Sequence, residues 1–136
     1  MATQYRLKVV TPERTVWRGE VEFLIARSSE GEIGILAHHV QIVTPLVSHI
    51  MSFTEASGTV RRLHVAGGFL EVGPEQVVVL ADAAEFPEEI DRARAEAARD
   101  RARSRLENPS PDIDRERAER ALIRAENRLR LIQTTH

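Results

Sequence analysis

The chain has 136 residues, a formal net charge of -2 and no cysteine. That balance offers no basic excess for nucleic acid and no acidic tail, and the missing thiols exclude a disulfide framework and a thiolate metal site. The longest apolar runs, such as "VVVLA" at 77–81, are too short to cross a bilayer as a helix, and "MATQYRLKVVTPERT" lacks the apolar stretch of a signal peptide, so any membrane association is expected to run through a partner.

The first part of the chain reads as strands and turns. "YRLKVV" sets Tyr5, Leu7 and Val9 against Arg6 and Lys8, the period-2 pattern of a half-buried strand. "TPER" follows as a turn. The short apolar runs "EVEFLIA", "QIVTPLV", "HIMSF", "RRLHVAG" and "QVVVLAD" come next, separated by "SSEGEIG", "EASGT", "GG" and "GPEQ". Many short strands at close spacing, with no intervening helix, predict a β-sandwich or barrel.

Composition changes near "AEFPEE" at 84–89. Trp17, Tyr5, Phe23, Phe53 and Phe69 lie before it, and twelve of the eighteen arginines lie from Arg92 onward. The expected fold is α+β, mainly β in its N-terminal part. Residues 1–86 form a β-sandwich, and residues 87–136 form an antiparallel two-helix hairpin. "PEEIDRARAEAARDRARSRLE" begins with proline and acids, which suits a helix N-terminus and its dipole. "NPSP" ends it, and "DIDRERAERALIRAENRLRLI" starts again with Asp112 as the expected N-cap. The short connection favours antiparallel neighbours.

At about 100° per residue, Ala95, Ala98, Ala102 and Leu106 share one face of the first helix. Ala118, Ala121, Leu122, Ala125, Leu129 and Ile132 share one face of the second. These stripes are expected to pack together, through a seam that is mostly alanine and therefore weakly held. A second stripe runs beside each seam: Arg94, Arg101 and Arg105 on the first helix, and Arg117, Arg120, Arg124 and Arg128 on the second. The two-fold relation between antiparallel helices brings both arginine stripes to one surface, with Arg94 level with Arg124 and Arg128. Such a surface is either a solvated, salt-bridged face or a site for phosphate or carboxylate, which guanidinium groups suit.

Three segments carry a family resemblance. "GEIGILAHHVQIVTPL" (31–46), "VAGGFLEVGPEQVVVLADAAE" (65–85) and the Ile-Asp-x-x-Arg-Ala string closely resemble the epsilon subunit of bacterial F-type ATP synthase, in the right order and over essentially the whole chain. The resemblance implies a noncatalytic role on the cytoplasmic side of the bacterial inner membrane, peripheral and attached only through the complex. It implies a sandwich that binds the gamma subunit and the c ring, helping to couple proton flow to rotation. It implies a hairpin that folds down or extends among the alpha and beta subunits, where it inhibits ATP hydrolysis. The folded-down form binds ATP in several members.

Carried over residue by residue, the ATP motif comprises Ile90, Asp91, Arg94 and Ala95, with Glu85 as a preceding acidic contact and Arg101, Arg124 and Arg128 as further basic positions. No cofactor is required, and ATP, with or without Mg, is the expected regulatory ligand. Glu32 and His39 match rotor contacts, while Ala37-His38 replaces the usual Pro-Gly between them. Arg117, Arg120 and Arg124 are candidates to meet an acidic loop of the beta subunit. There is no Walker-type loop, so hydrolysis by this chain is not expected.

Other readings compete. An enzyme or metal site would rest on His38, His39, His49 and His64, but no acid stands at motif spacing and no serine or cysteine nucleophile motif is present. A nucleic-acid surface would rest on arginines that are interleaved with nearly as many acids and lack aromatic residues for base stacking. An interaction module of the same shape without nucleotide regulation is a further alternative. The string "IDRARA" (90–95) echoes in "IDRERA" (113–118), where aspartate in a first helical turn is the common local role. The first copy is expected to bind ligand and the second only to start a helix.

Overall fold

The computed structural model describes residues 3–37 and 41–133. The chain divides into two compact units, residues 1–86 and 87–136. The first holds strands β1 (Tyr5–Val10), β2 (Thr15–Ser28), β3 (Gly31–Ile35), β4 (Ile42–Glu55), β5 (Val60–Val72), β6 (Gln76–Ala81) and β7 (Ala84–Glu85). The second holds a single 3-10 turn at Pro87–Glu89, then α1 (Arg92–Glu107) and α2 (Arg115–Gln133).

β1 closes the sandwich. It pairs antiparallel with β2 on one side and parallel with β6 on the other, while β6, β5, β4 and β2 pair in sequence. The backbone donors and acceptors of these five strands are thereby used around a ring, leaving β3 and β7 as short additions on β2 and β5. β2 is long because it serves twice: its first half pairs with β1, and its second half with β3 and β4. A register shift between Val21 and Phe23 lets Val21 and Leu24 both enter the core although they lie three residues apart. Leu7, Val9, Leu24, Ile35, Met51, Phe53, Leu63, Leu70 and Val79 fill the interior.

Several sequence expectations are corrected here. "QIVTPLV" and "HIMSF" are one strand, β4, paired along its length with β5. "SSEGEIG" is not only a connection, since Gly31–Ile35 pairs with β2. The "GG" expected to separate strands lies inside β5. Gly68 has φ +123, and a Cβ there would collide with the Leu80 carbonyl oxygen and lie 2.9 Å from Ala81 Cα, so β5 lies too close to its neighbour β6 here for any side chain.

In the second unit, the first helix starts at Arg92 rather than Pro87. Asp91 is extended, with φ -85 and ψ 113, and its carboxylate accepts the Arg94 N–H at 3.1 Å. This N-cap ends the preceding 3-10 turn, in which Glu88 and Glu89 lie. The second helix is capped by Asp114, whose Oδ1 accepts the Arg117 N–H at 3.1 Å, and not by Asp112. Asp112 instead donates its backbone N–H to Ser110 Oγ within the turn. The two echoed strings are therefore both N-caps, one step earlier than the first-turn position expected. Ala95, Ala102, Ala118, Ala125 and Leu129 are buried in the seam as the periodicity predicts, while Asn127 and Leu131 are also buried, outside the stripe. An Arg103–Glu126 ion pair at 4.0 Å joins the two helices.

Candidate functional site

The arginines of the helical unit differ in their partners. Arg99, Arg103, Arg115 and Arg120 are paired with Asp100, Glu126, Glu119 and Glu116 respectively. Arg94, Arg101, Arg105, Arg117 and Arg124 make no side-chain ion pair or hydrogen bond among the described residues. These five belong to the stripe that the helical periodicity assigns to one surface. Arg94, Arg101, Arg105 and Arg117 are exposed, and Arg124 and Arg128 are half-buried. A cleft at the α1–α2 turn is lined by Arg105, Asp112, Ile113, Asp114, Arg117 and Ala118, with a volume of about 340 Å³. Guanidinium groups without carboxylate partners are available to phosphate oxygens, which they match in charge and fork geometry.

The remaining motif residues differ in what they present. Ile90 is half-buried and donates its N–H to the Pro87 carbonyl at 3.1 Å. Asp91 is exposed, with one carboxylate oxygen used by the cap. Ala95 is buried and its N–H is bonded to the Asp91 carbonyl at 3.0 Å, so it contributes packing and no free polar group. Glu32 sits on the edge strand β3 opposite Arg27, with which it pairs at 3.8 Å. His39, like His38, lies outside the described residues.

Glu85 belongs to a network that sequence reading missed. Its Oε1 lies 3.1 Å from Nδ1 of His64, and Nε2 of His64 lies 3.0 Å from Ser48 Oγ. The ladder between β5 and β7 sets His64 opposite Glu85 and so fixes this contact. The order serine, histidine, carboxylate is that of a hydrolase triad, but His64 has no exposed surface, so a substrate carbonyl has no approach to the imidazole. The other buried histidine, His49, accepts the Arg27 N–H at Nε2 (3.2 Å) and donates Nδ1–H to the Val47 carbonyl (2.7 Å). Burial holds its pKa below the usual imidazole range, with smaller contributions from His64 and Arg27. No group of three metal-ligating side chains occurs among the described residues, and no described helix is long and apolar enough to cross a membrane.

An apolar row on the sandwich surface also escaped sequence reading. Pro45, Phe69 and Leu80 are adjacent across β4, β5 and β6, with Val43 two residues from Pro45. Val43 is 69%, Phe69 51% and Leu80 44% exposed. Only the register of three strands brings them side by side. Clustered exposure of this kind marks an interaction face.

A β-sandwich followed by a helical unit is the domain order of the ATP synthase delta/epsilon chains, and the protein belongs to the ATP synthase delta/epsilon chain family. Residues 4–87 match the family's beta-sandwich domain and residues 88–133 its long alpha-helix domain. Its relatives narrow this to epsilon chains. The ATP synthase epsilon chain of Caldicellulosiruptor saccharolyticus is 45% identical over 130 residues, covering 96% of this chain and 94% of that one. The ATP synthase epsilon chain of Carboxydothermus hydrogenoformans is 50% identical over 111 residues, 82% of each. A chain in the Euglena gracilis mitochondrial ATP synthase structure, comprising OSCP, F1 and c-ring, matches with a TM-score of 0.80 at 26% identity, over 93% of this chain and 80% of that one. A chain of the Tetrahymena thermophila mitochondrial ATP synthase central stalk and c-ring shares the fold, with a TM-score of 0.58 at 12% identity over 97% of this chain and 96% of that one.

Proposed function

We propose that this chain is a noncatalytic rotor subunit of a proton-translocating F-type ATP synthase, and that its helical unit restrains ATP hydrolysis under the control of bound ATP. In this reading the sandwich docks on the gamma subunit and the c ring, on the cytoplasmic side of the bacterial inner membrane. The helices meet the alpha and beta subunits when extended, with Arg117, Arg120 and Arg124 facing an acidic loop of beta. ATP, with or without Mg, binds the other state through Arg94, Arg101, Arg124 and Arg128, with Asp91 and Glu85 accepting bonds from adenine or ribose.

The observation that carries the nucleotide part is the division among the arginines. Arg99, Arg103, Arg115 and Arg120 are paired with carboxylates, while Arg94, Arg101 and Arg124 make no side-chain ion pair or hydrogen bond among the described residues. Leaving cations unpaired on a helix that carries eligible acids suits a polyanionic ligand. The exposed Phe69–Leu80 row supports docking by the sandwich.

Calorimetric titration of the full chain with ATP tests the nucleotide part. Wild type is expected to bind, and Arg94→Ala to weaken binding by roughly 10- to 100-fold, the worth of a charge-assisted hydrogen bond. An absence of ATP heat for wild type removes that part and leaves the same architecture as an interaction module without nucleotide regulation.

A further inference from the structure

The string Ile-Asp-x-x-Arg-Ala folds the same way at both of its positions. Ile90 and Ile113 each donate their N–H to the carbonyl three residues earlier, that of Pro87 or Ser110, at 3.1 Å. Asp91 and Asp114 each accept the N–H of the arginine three residues on, at 3.1 Å. Ala95 and Ala118 each donate their N–H to the carbonyl of that aspartate, at 3.0 and 3.1 Å. The backbone is used alike in both copies, so what each can bind is decided by side chains and their surroundings.

The second copy opens on the cleft at the α1–α2 turn. All four of its fixed residues, Ile113, Asp114, Arg117 and Ala118, line that cleft, together with Arg105 of α1 and Asp112 of the turn. Two guanidinium groups and two carboxylates therefore border one opening of about 340 Å³. None of the four makes a side-chain ion pair among the described residues. Asp114 uses one carboxylate oxygen for the cap, and Asp112 is bonded to Ser110 through its backbone N–H, so both carboxylates keep oxygen atoms for a ligand.

We infer that this cleft binds a diphosphate group together with a magnesium ion, with Arg105 and Arg117 on the phosphate oxygens and Asp112 and Asp114 on the metal. Guanidinium groups match phosphate in charge and fork geometry. Magnesium is characteristically held by one or two carboxylates, with phosphate oxygens and water completing its octahedron. No group of three metal-ligating side chains occurs among the described residues, so the phosphate has to complete the coordination. Bare diphosphate would meet two carboxylates as well as two guanidinium groups, and the cation offsets the carboxylates. The apolar lining is limited to Ile113 and Ala118, with no aromatic side chain on which a base could stack, so the cleft suits phosphate groups and not a whole nucleotide. This gives the second copy a role beyond starting a helix, and it does not depend on ATP at the first.

Calorimetric titration of the full chain with pyrophosphate in the presence of magnesium is the test. Wild type is expected to bind, and to lose binding when EDTA removes the metal. Arg105→Gln and Arg117→Gln are each expected to weaken binding by roughly 10- to 100-fold. Both keep the helix start, because the cap uses the backbone N–H of Arg117. Asp112→Asn should raise the magnesium concentration that binding requires. Arg115→Gln removes a neighbouring charge that is paired with Glu119 and does not line the cleft, and it should bind as wild type does. With manganese in place of magnesium, paramagnetic broadening should centre on the backbone amides of residues 113–118. No pyrophosphate heat with magnesium present, binding that survives EDTA, equal affinity in Arg105→Gln, Arg117→Gln and Arg115→Gln, or broadening centred on residues 90–95 would each overturn the proposal.

Discussion

His49 and Tyr5 show how single buried polar groups tie the sandwich to pH. The folded pKa of His49 is lowered, chiefly by burial. The unfolded chain therefore binds a proton more readily, so the contribution of His49 is fully present above about pH 6.5 and is lost as pH falls below it. His49→Gln is expected to flatten the acid limb of a stability-against-pH curve, measured by urea unfolding between pH 7 and 5. Tyr5 donates its hydroxyl to the Ile35 carbonyl at 2.6 Å, and burial raises its pKa above the phenol range. That contribution is present below about pH 10 and is lost as pH rises through the alkaline range. Tyr5→Phe leaves the Ile35 carbonyl without this donor and is expected to cost about 1 kcal/mol by the same unfolding assay.

At the scale of elements, the caps and the close approach of β5 to β6 make sharper demands. Asp91 and Asp114 close their helices with matching bonds of 3.1 Å, so Asp91→Ala and Asp114→Ala should each reduce the thermal stability of the helical unit by about 1 kcal/mol. Because the caps are alike, a nucleotide role for the first string predicts that only Asp91→Ala also weakens ATP binding in calorimetry. Gly68 is the least replaceable position in β5, since its backbone lies against β6 and its φ is positive. Gly68→Ala combines a collision with a left-handed φ and is expected to cost more than about 3 kcal/mol, read from the unfolding midpoint. Helix faces were legible from periodicity because Ala95, Ala102, Ala118, Ala125 and Leu129 are repeats of one local geometry. Helix starts were not, since a 3-10 turn at Pro87–Glu89 precedes the Asp91 cap and a turn through Ser110 takes up Asp112 before the Asp114 cap.

At the scale of the whole molecule, the connected buried core lies entirely before Pro87. A chain ending at Phe86 is expected to fold, unfold cooperatively and retain its sheet signature in circular dichroism. In the reconstituted complex, removal of 91–136 should preserve gamma binding and ATP synthesis while changing the inhibition of hydrolysis. Loss of gamma binding in that truncation would contradict the division of labour between sandwich and helices. Phe69→Ser, by contrast, should weaken gamma binding without changing sandwich stability by more than about 0.5 kcal/mol, since the side chain is half exposed.

The sequence by itself determined what depends on near neighbours along the chain. Alternation specified strands, the 3.6-residue period specified helix faces, and the composition change at 84–89 placed the division. The tertiary structure alone decided what depends on register between distant segments. It joined two apolar runs into β4, and it set a pair of glycines inside β5 where the backbone lies close against β6. It set Phe69 beside Leu80, and it placed Ser48, His64 and Glu85 in one hydrogen-bonded line across three strands. Cross-strand partners lie many residues apart, and a shift of one residue would send every side chain to the opposite face, so no local pattern encodes them.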